Sequence, residues 1–104
     1  MKRPPRIDLI LADANKALVE SVLTEIEIGH TLLEVAANAA DRKDAQRSVN
    51  DAITALRTAD RFITRIQAGT VYLREIRRRR AQLVLRLPAV VDRHGLRLSE
   101  SGNT

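Results

Sequence analysis

Polar residues recur every three or four positions through the first third of the chain. The set is Asp13, Lys16, Glu20, Thr24, Glu27, Thr31, Glu34 and Asn38. At 100° per residue these positions form one strip of an α-helix, and aliphatic residues fill most of the remaining circumference. A helix that meets a single neighbour needs a narrower apolar stripe. The pattern therefore predicts a central helix covered by several others, some of them from a second chain.

Two shorter helices are predicted to follow. The first, at about 44–66, has apolar residues at alternating three- and four-residue spacing, with Asp44 as its N-cap. The second, at about 71–87, is expected to end at Pro88, because proline disfavours helical backbone in the residue before it. The predicted fold is thus all-α, an antiparallel three-helix bundle with helices at about 8–40, 44–66 and 71–87. The alternative is a single helix over 44–87, which makes a long hairpin that must dimerise to cover itself.

This interpretation divides the chain into three segments. Residues 1–7 form a flexible basic segment, 8–88 the helical bundle domain, and 89–104 a C-terminal tail that we expect to be partly disordered. Gly29 lies on the apolar side of the first helix, where we interpret it as a site of close helix packing rather than a hinge.

Composition excludes several classes of function. The chain has no cysteine, which removes disulfides, thiolate metal sites and cysteine nucleophiles. Phe62 and Tyr72 are the only aromatic residues, too few for a binder that stacks single-stranded bases. No apolar run approaches the ~20 residues of a membrane span, and no phosphate loop, nucleophile elbow or zinc-binding helix motif occurs. We therefore expect a cytoplasmic protein with no metal, no cofactor and no catalytic residues.

The segment around His30 resembles the histidine phosphotransfer domain, a helical bundle whose exposed histidine accepts a phosphoryl group. The resemblance covers His30, Leu32 and Ala36. Leu33 and Glu34 stand where that family carries lysine and glycine, and a carboxylate one turn beyond the histidine repels a phosphoryl group. The simpler interpretation places His30 on the boundary between the apolar and polar sides of the helix.

Three charged residues interrupt apolar stripes: Glu25, Asp60 and Arg80. Buried charge is tolerated only when it is paired, so two acids and one base suggest an ionic cluster where the helices meet. The alternative is that all three lie at stripe edges and reach water.

Positive charge is concentrated in the last third of the chain. From Thr70 onward eight arginines face only three acidic residues, which accounts for the whole net charge of +5. On a helix, Arg80 is expected to point inward and Arg77 to border the core, leaving Arg74, Arg78 and Arg79 for solvent. Three interpretations of these arginines are open. They form a solvated helix surface, they pair with the acidic strip of a neighbouring copy, or they bind nucleic-acid phosphates.

The sequence favours a non-enzymatic protein-protein interaction or scaffolding module that forms a homodimer. Its contact surface is expected to be the part of the first helix that the chain's own helices leave bare, at Val19, Leu23, Ile28 and Val35. The alternative is a nucleic-acid-binding accessory protein that uses Arg74, Arg77, Arg78 and Arg79.

Overall fold

The computed structural model describes residues 6–67 and 71–97, with side chains described from residue 13 onward. It contains helix α1 over Arg6–Ala37, α2 over Arg42–Ile63 and α3 over Leu73–His94. The predicted all-α, three-helix bundle is confirmed. The single helix over 44–87 is excluded, because α2 ends ten residues before α3 begins.

Helix α1 is the centre of the bundle, as its wide apolar arc predicts. It packs against both α2 and α3, while α2 and α3 contact each other less extensively. The side chain of Asn15, near the start of α1, accepts a hydrogen bond from the backbone of Gln67, just after α2, at 2.8 Å. The amide of Gln46, near the start of α2, donates to the carbonyl of Arg97, just after α3, at 2.8 Å. The first contact shows that α1 and α2 are antiparallel, and the second shows the same for α2 and α3. Helices α1 and α3 therefore run parallel.

The core is aliphatic, as the shortage of aromatic residues requires. Its most deeply buried large side chains are Val22, Leu33, Val49, Ile76 and Leu83. Burial of side chains of this size stabilises a fold by about 1.5–3 kcal/mol each. Gly29 lies among them with its backbone close to Leu83, which confirms its predicted packing role.

Helix α2 begins two residues earlier than predicted. Its N-cap is Asp41 rather than Asp44, and the Oδ1 atom of Asp41 accepts the backbone N–H of Asp44 at 2.8 Å. Asp44 instead supplies negative charge in the first turn, where the helix dipole favours it. The last residues of the predicted segment form tight turns, with the N–H of Ile66 donating to the carbonyl of Ile63 at 3.1 Å.

The prediction that Pro88 ends the third helix is wrong, because α3 continues to His94. Proline removes one backbone donor, yet the turn beyond it buries Val90 against the core. Gly95 then ends the helix with a left-handed backbone (φ 62°), and the N–H of Leu96 donates to the carbonyl of Val91 at 2.8 Å. The first six residues of the predicted tail are therefore helical, while 98–104 and 1–5 lie outside the described residues.

Candidate interaction surfaces

Two of the four predicted interface residues are exposed on α1. Ile28 retains 42% and Val35 51% of its accessible surface, whereas Val19 is buried at 6% and Leu23 is half-buried against the core. The expectation of a bare surface is thus wrong for Val19, because α1 turns that side toward the rest of its own chain. We call Ile28 and Val35 the α1 apolar face. They lie seven residues apart, nearly two full turns, and so point in almost the same direction.

The surroundings of the α1 apolar face combine neutral and charged side chains. Val35 lines a shallow depression together with Asn38 and Ala39, after α1, and with Asp44, Arg47 and Ser48 of α2. Thr24 and Thr31 occupy the adjoining exposed strip of α1 and are neutral. Beyond these threonines the exposed strip carries Glu20, Glu27 and Glu34, of which Glu34 is bonded across to α3. An approaching copy therefore meets apolar and neutral side chains at the centre of the face, and the charged side chains of Asp44 and Arg47 at its edge beside Val35.

Asp60 and Arg80 join α2 to α3 through a two-pronged ion pair. The Nε and Nη2 atoms of Arg80 donate to the two carboxylate oxygens of Asp60 at 2.5 and 2.9 Å. The side chains of Arg80 and Asp60 remain 38% and 41% exposed. They therefore also reach water, as expected if they lie at the edges of the apolar stripes. Glu25 is half-buried, and within the described residues no ion pair joins it to this couple. The structure thus brings together two of the three predicted members and leaves the third out.

A second polar connection joins α1 to α3 around His30. The Nη1 atom of Arg86 lies 2.9 Å from Nδ1 of His30, and its Nη2 atom donates to the Glu34 carboxylate at 2.8 Å. Guanidinium only donates, so Nδ1 accepts and the imidazole is neutral with its proton on Nε2. His30 is therefore held between α1 and α3, and Arg86 neutralises the Glu34 carboxylate beside it.

Stability is expected to fall on mild acidification because of His30. Burial, and then the charge of Arg86, lower the pKa of His30 in the folded chain below its usual 6.5. The unfolded chain therefore binds the proton more readily, so this stabilisation is present above about pH 6.5 and is lost as the pH falls below it. Melting temperatures between about pH 7.5 and pH 5 should drop more for the native chain than for His30→Gln.

His94→Gln is the matched control for that measurement, since it removes the other histidine while leaving the Arg86 contact in place. It should retain the native pH dependence. Equal pH dependence in His30→Gln and the native chain would contradict this role of His30.

The arginine run divides between two sides of α3. Arg78 and Arg79 both donate to Glu75, with contacts of 2.6 and 2.8 Å, and these hydrogen bonds lower the pKa of Glu75 to about 2. Arg79 also faces α1, where it lines a depression with His30. Arg77 is exposed, so the expectation that it borders the core is wrong.

Sequence analysis missed a row of basic residues on α2. The exposed positions at spacings of three and four along this helix are Lys43, Arg47, Asn50, Thr54, Arg57 and Arg61. They fall within an arc of about 80° on the helix surface. The signal is present in the sequence as a periodicity, but it is spread over nineteen residues and mixed with neighbouring acids. The four adjacent arginines of α3 are a much more obvious cluster of positive charge.

Other kinds of site find no support in the described part of the chain. It holds no group of three or more His, Cys, Asp or Glu side chains placed to bind a metal ion. None of the helices, over the residues that were described, is long and apolar enough to cross a membrane. Comparisons with protein families, with curated proteins and with solved structures found no match to this chain. A functional conclusion therefore rests on the surfaces themselves.

Proposed function

We propose that this chain is a non-enzymatic helical interaction module that self-associates through the α1 apolar face. The observation that supports the proposal is the exposure of Ile28 and Val35 on the helix that is otherwise the most enclosed. A small bundle gains by covering such residues, and a second copy of the same face is an apolar partner present wherever the protein is.

The size of the face sets the strength of association. Each side chain is about half exposed, so covering it contributes about 1 kcal/mol, and a symmetric dimer covers four. That gain of about 4 kcal/mol only equals the lower estimates of the free-energy cost of association, which arises from lost translational and rotational freedom. The surrounding side chains must add contact area, and the dimer is expected to be weak and dependent on concentration.

Sedimentation velocity from about 10 μM to about 1 mM protein tests this proposal. The average mass of the native chain is expected to rise from 11.6 kDa toward twice that value. Ile28→Gln with Val35→Gln should stay monomeric over this range, because glutamine keeps helical propensity and replaces the apolar surface with a polar one.

Leu85→Gln is the matched control. Leu85 is 76% exposed on the outer side of α3, more than either residue of the α1 apolar face. Its substitution therefore replaces an exposed aliphatic side chain by glutamine outside that face. This variant should associate as the native chain does. A native chain that remains monomeric at about 1 mM, or equal loss of association in Leu85→Gln, would overturn the proposal.

A further inference from the structure

The surface formed by α2 and α3 is basic, and it meets the α1 apolar face only at its edge, where Arg47 lines the depression beside Val35. We call it the basic face and define it by Lys43, Arg47 and Arg61 on α2 and Arg74 and Arg77 on α3, all exposed. Arg57 lies in the same row of α2. Arg47 borders the surface proposed for self-association, and the substitutions that test the basic face below leave it unchanged.

The row on α2 is long, straight and free of acids. Its first and last basic residues, Lys43 and Arg61, are eighteen positions apart, which corresponds to about 27 Å along the helix axis. The acidic residues of α2 project to either side of the row: Asp44 and Asp51 lie on the flank toward α1, and Asp60 points to α3. A line of positive charge of this length matches an extended polyanion better than a compact anion.

Helix α3 widens the row into a face. The Asp60–Arg80 ion pair fixes the register of the two antiparallel helices. Arg61 follows Asp60 directly, and Arg77 precedes Arg80 by one turn, so both lie beside the pair on its exposed side. Because Asp60 is already neutralised by Arg80, it does not cancel the charge of its neighbours. Arg79, which the sequence placed among the phosphate contacts, faces α1 instead.

Charge is segregated between the helices. Helix α1 carries six acidic and two basic residues, whereas α3 carries seven arginines and two acids. A negatively charged partner is therefore attracted to the α2–α3 side and repelled from the exposed strip of α1. This arrangement orients an extended polyanion before any contact forms.

We infer that the basic face binds the phosphate backbone of a double-stranded nucleic acid without preference for sequence. Arginine donates to phosphate through two parallel N–H groups, and such contacts supply affinity but do not read bases. The α2 row contains no large apolar residue, so it offers nothing to insert into a lipid bilayer. Four or five phosphate contacts are enough for weak binding that depends strongly on salt.

Fluorescence anisotropy with a labelled duplex DNA of about 20 base pairs, titrated between about 50 and 200 mM salt, tests this inference. For four contacts, the logarithm of the binding constant should fall against the logarithm of salt concentration with a slope of about −3.6. Arg61→Gln with Arg77→Gln removes two contacts, so the slope should shrink by about 2 and the affinity at about 50 mM salt should fall at least tenfold.

Lys16→Gln with Arg93→Gln is the matched control, since it removes the same two charges from exposed positions outside the basic face. It should bind nearly as the native chain does, with an almost unchanged slope. Absence of duplex binding at about 50 mM salt would overturn the inference, and so would equal weakening in the control, which would show attraction by net charge alone. Binding to anionic vesicles without binding to duplex DNA would overturn it in favour of a lipid surface.

Discussion

Replacing Gly29 with valine is expected to lower the free energy of unfolding by about 2 kcal/mol. A Cβ atom at this position would lie 2.7 Å from the Cδ2 atom of Leu83, closer than side-chain carbons approach one another. Leu83 is completely buried, so its side chain has little space into which it can retreat. Valine adds two more methyl groups, and overpacking of this kind typically costs 1–3 kcal/mol. The result should be a partial separation of α3 from α1, measured as a lower urea midpoint by circular dichroism.

Two further variants separate packing from backbone effects at Gly29. Alanine improves helix propensity by about 1 kcal/mol but still displaces Leu83, so Gly29→Ala should be nearly neutral. Leu83→Ala alone should cost about 2–5 kcal/mol, and combined with Gly29→Val it should cost less than the sum of the two changes. A Gly29→Val protein as stable as the native chain would show that the two helices are not in close contact here.

The second large effect is expected in the opposite direction, from Pro88→Ala. Proline inside a helix typically costs about 3 kcal/mol, because it lacks the N–H that would bond to the carbonyl four residues earlier, here that of Val84. Pro88 is exposed, so its removal loses little packing. Alanine also raises the conformational entropy of the unfolded chain, which offsets about 0.4–1 kcal/mol of the gain. The free energy of unfolding should therefore rise by about 2 kcal/mol, measured by urea unfolding.

Pro88→Gly is the informative comparison for that substitution. It restores the same N–H but adds backbone freedom, so it should gain about 1 kcal/mol less than alanine. A Pro88→Ala protein that is less stable than the native chain would mean that the proline shapes α3 so that Leu87 and Val90 reach the core. In that case proline would be part of the packing rather than a tolerated interruption.

The sequence alone predicted the all-α fold, the central place of α1 and the packing role of Gly29, and it left open whether residues 44–87 form one helix or two. These features follow from apolar periodicity and glycine geometry, which are local and can be read along one chain. Helix ends were less well determined. Asp41 and Asp44 are both good capping residues, and only the backbone shows which of them accepts the hydrogen bond.

Only the tertiary structure decided which side chains are available for function. Val19 and Ile28 look equivalent at the edges of one apolar arc, yet the positions of α2 and α3 bury the first and expose the second. Likewise, Arg77 and Arg79 are close neighbours in sequence, but α1 lies against only one of them. The continuation of α3 past Pro88 has the same cause, since burial beyond the proline outweighs a local preference to stop. Periodicity states how much of a helix must be covered, whereas the crossing of neighbouring helices decides which part is covered.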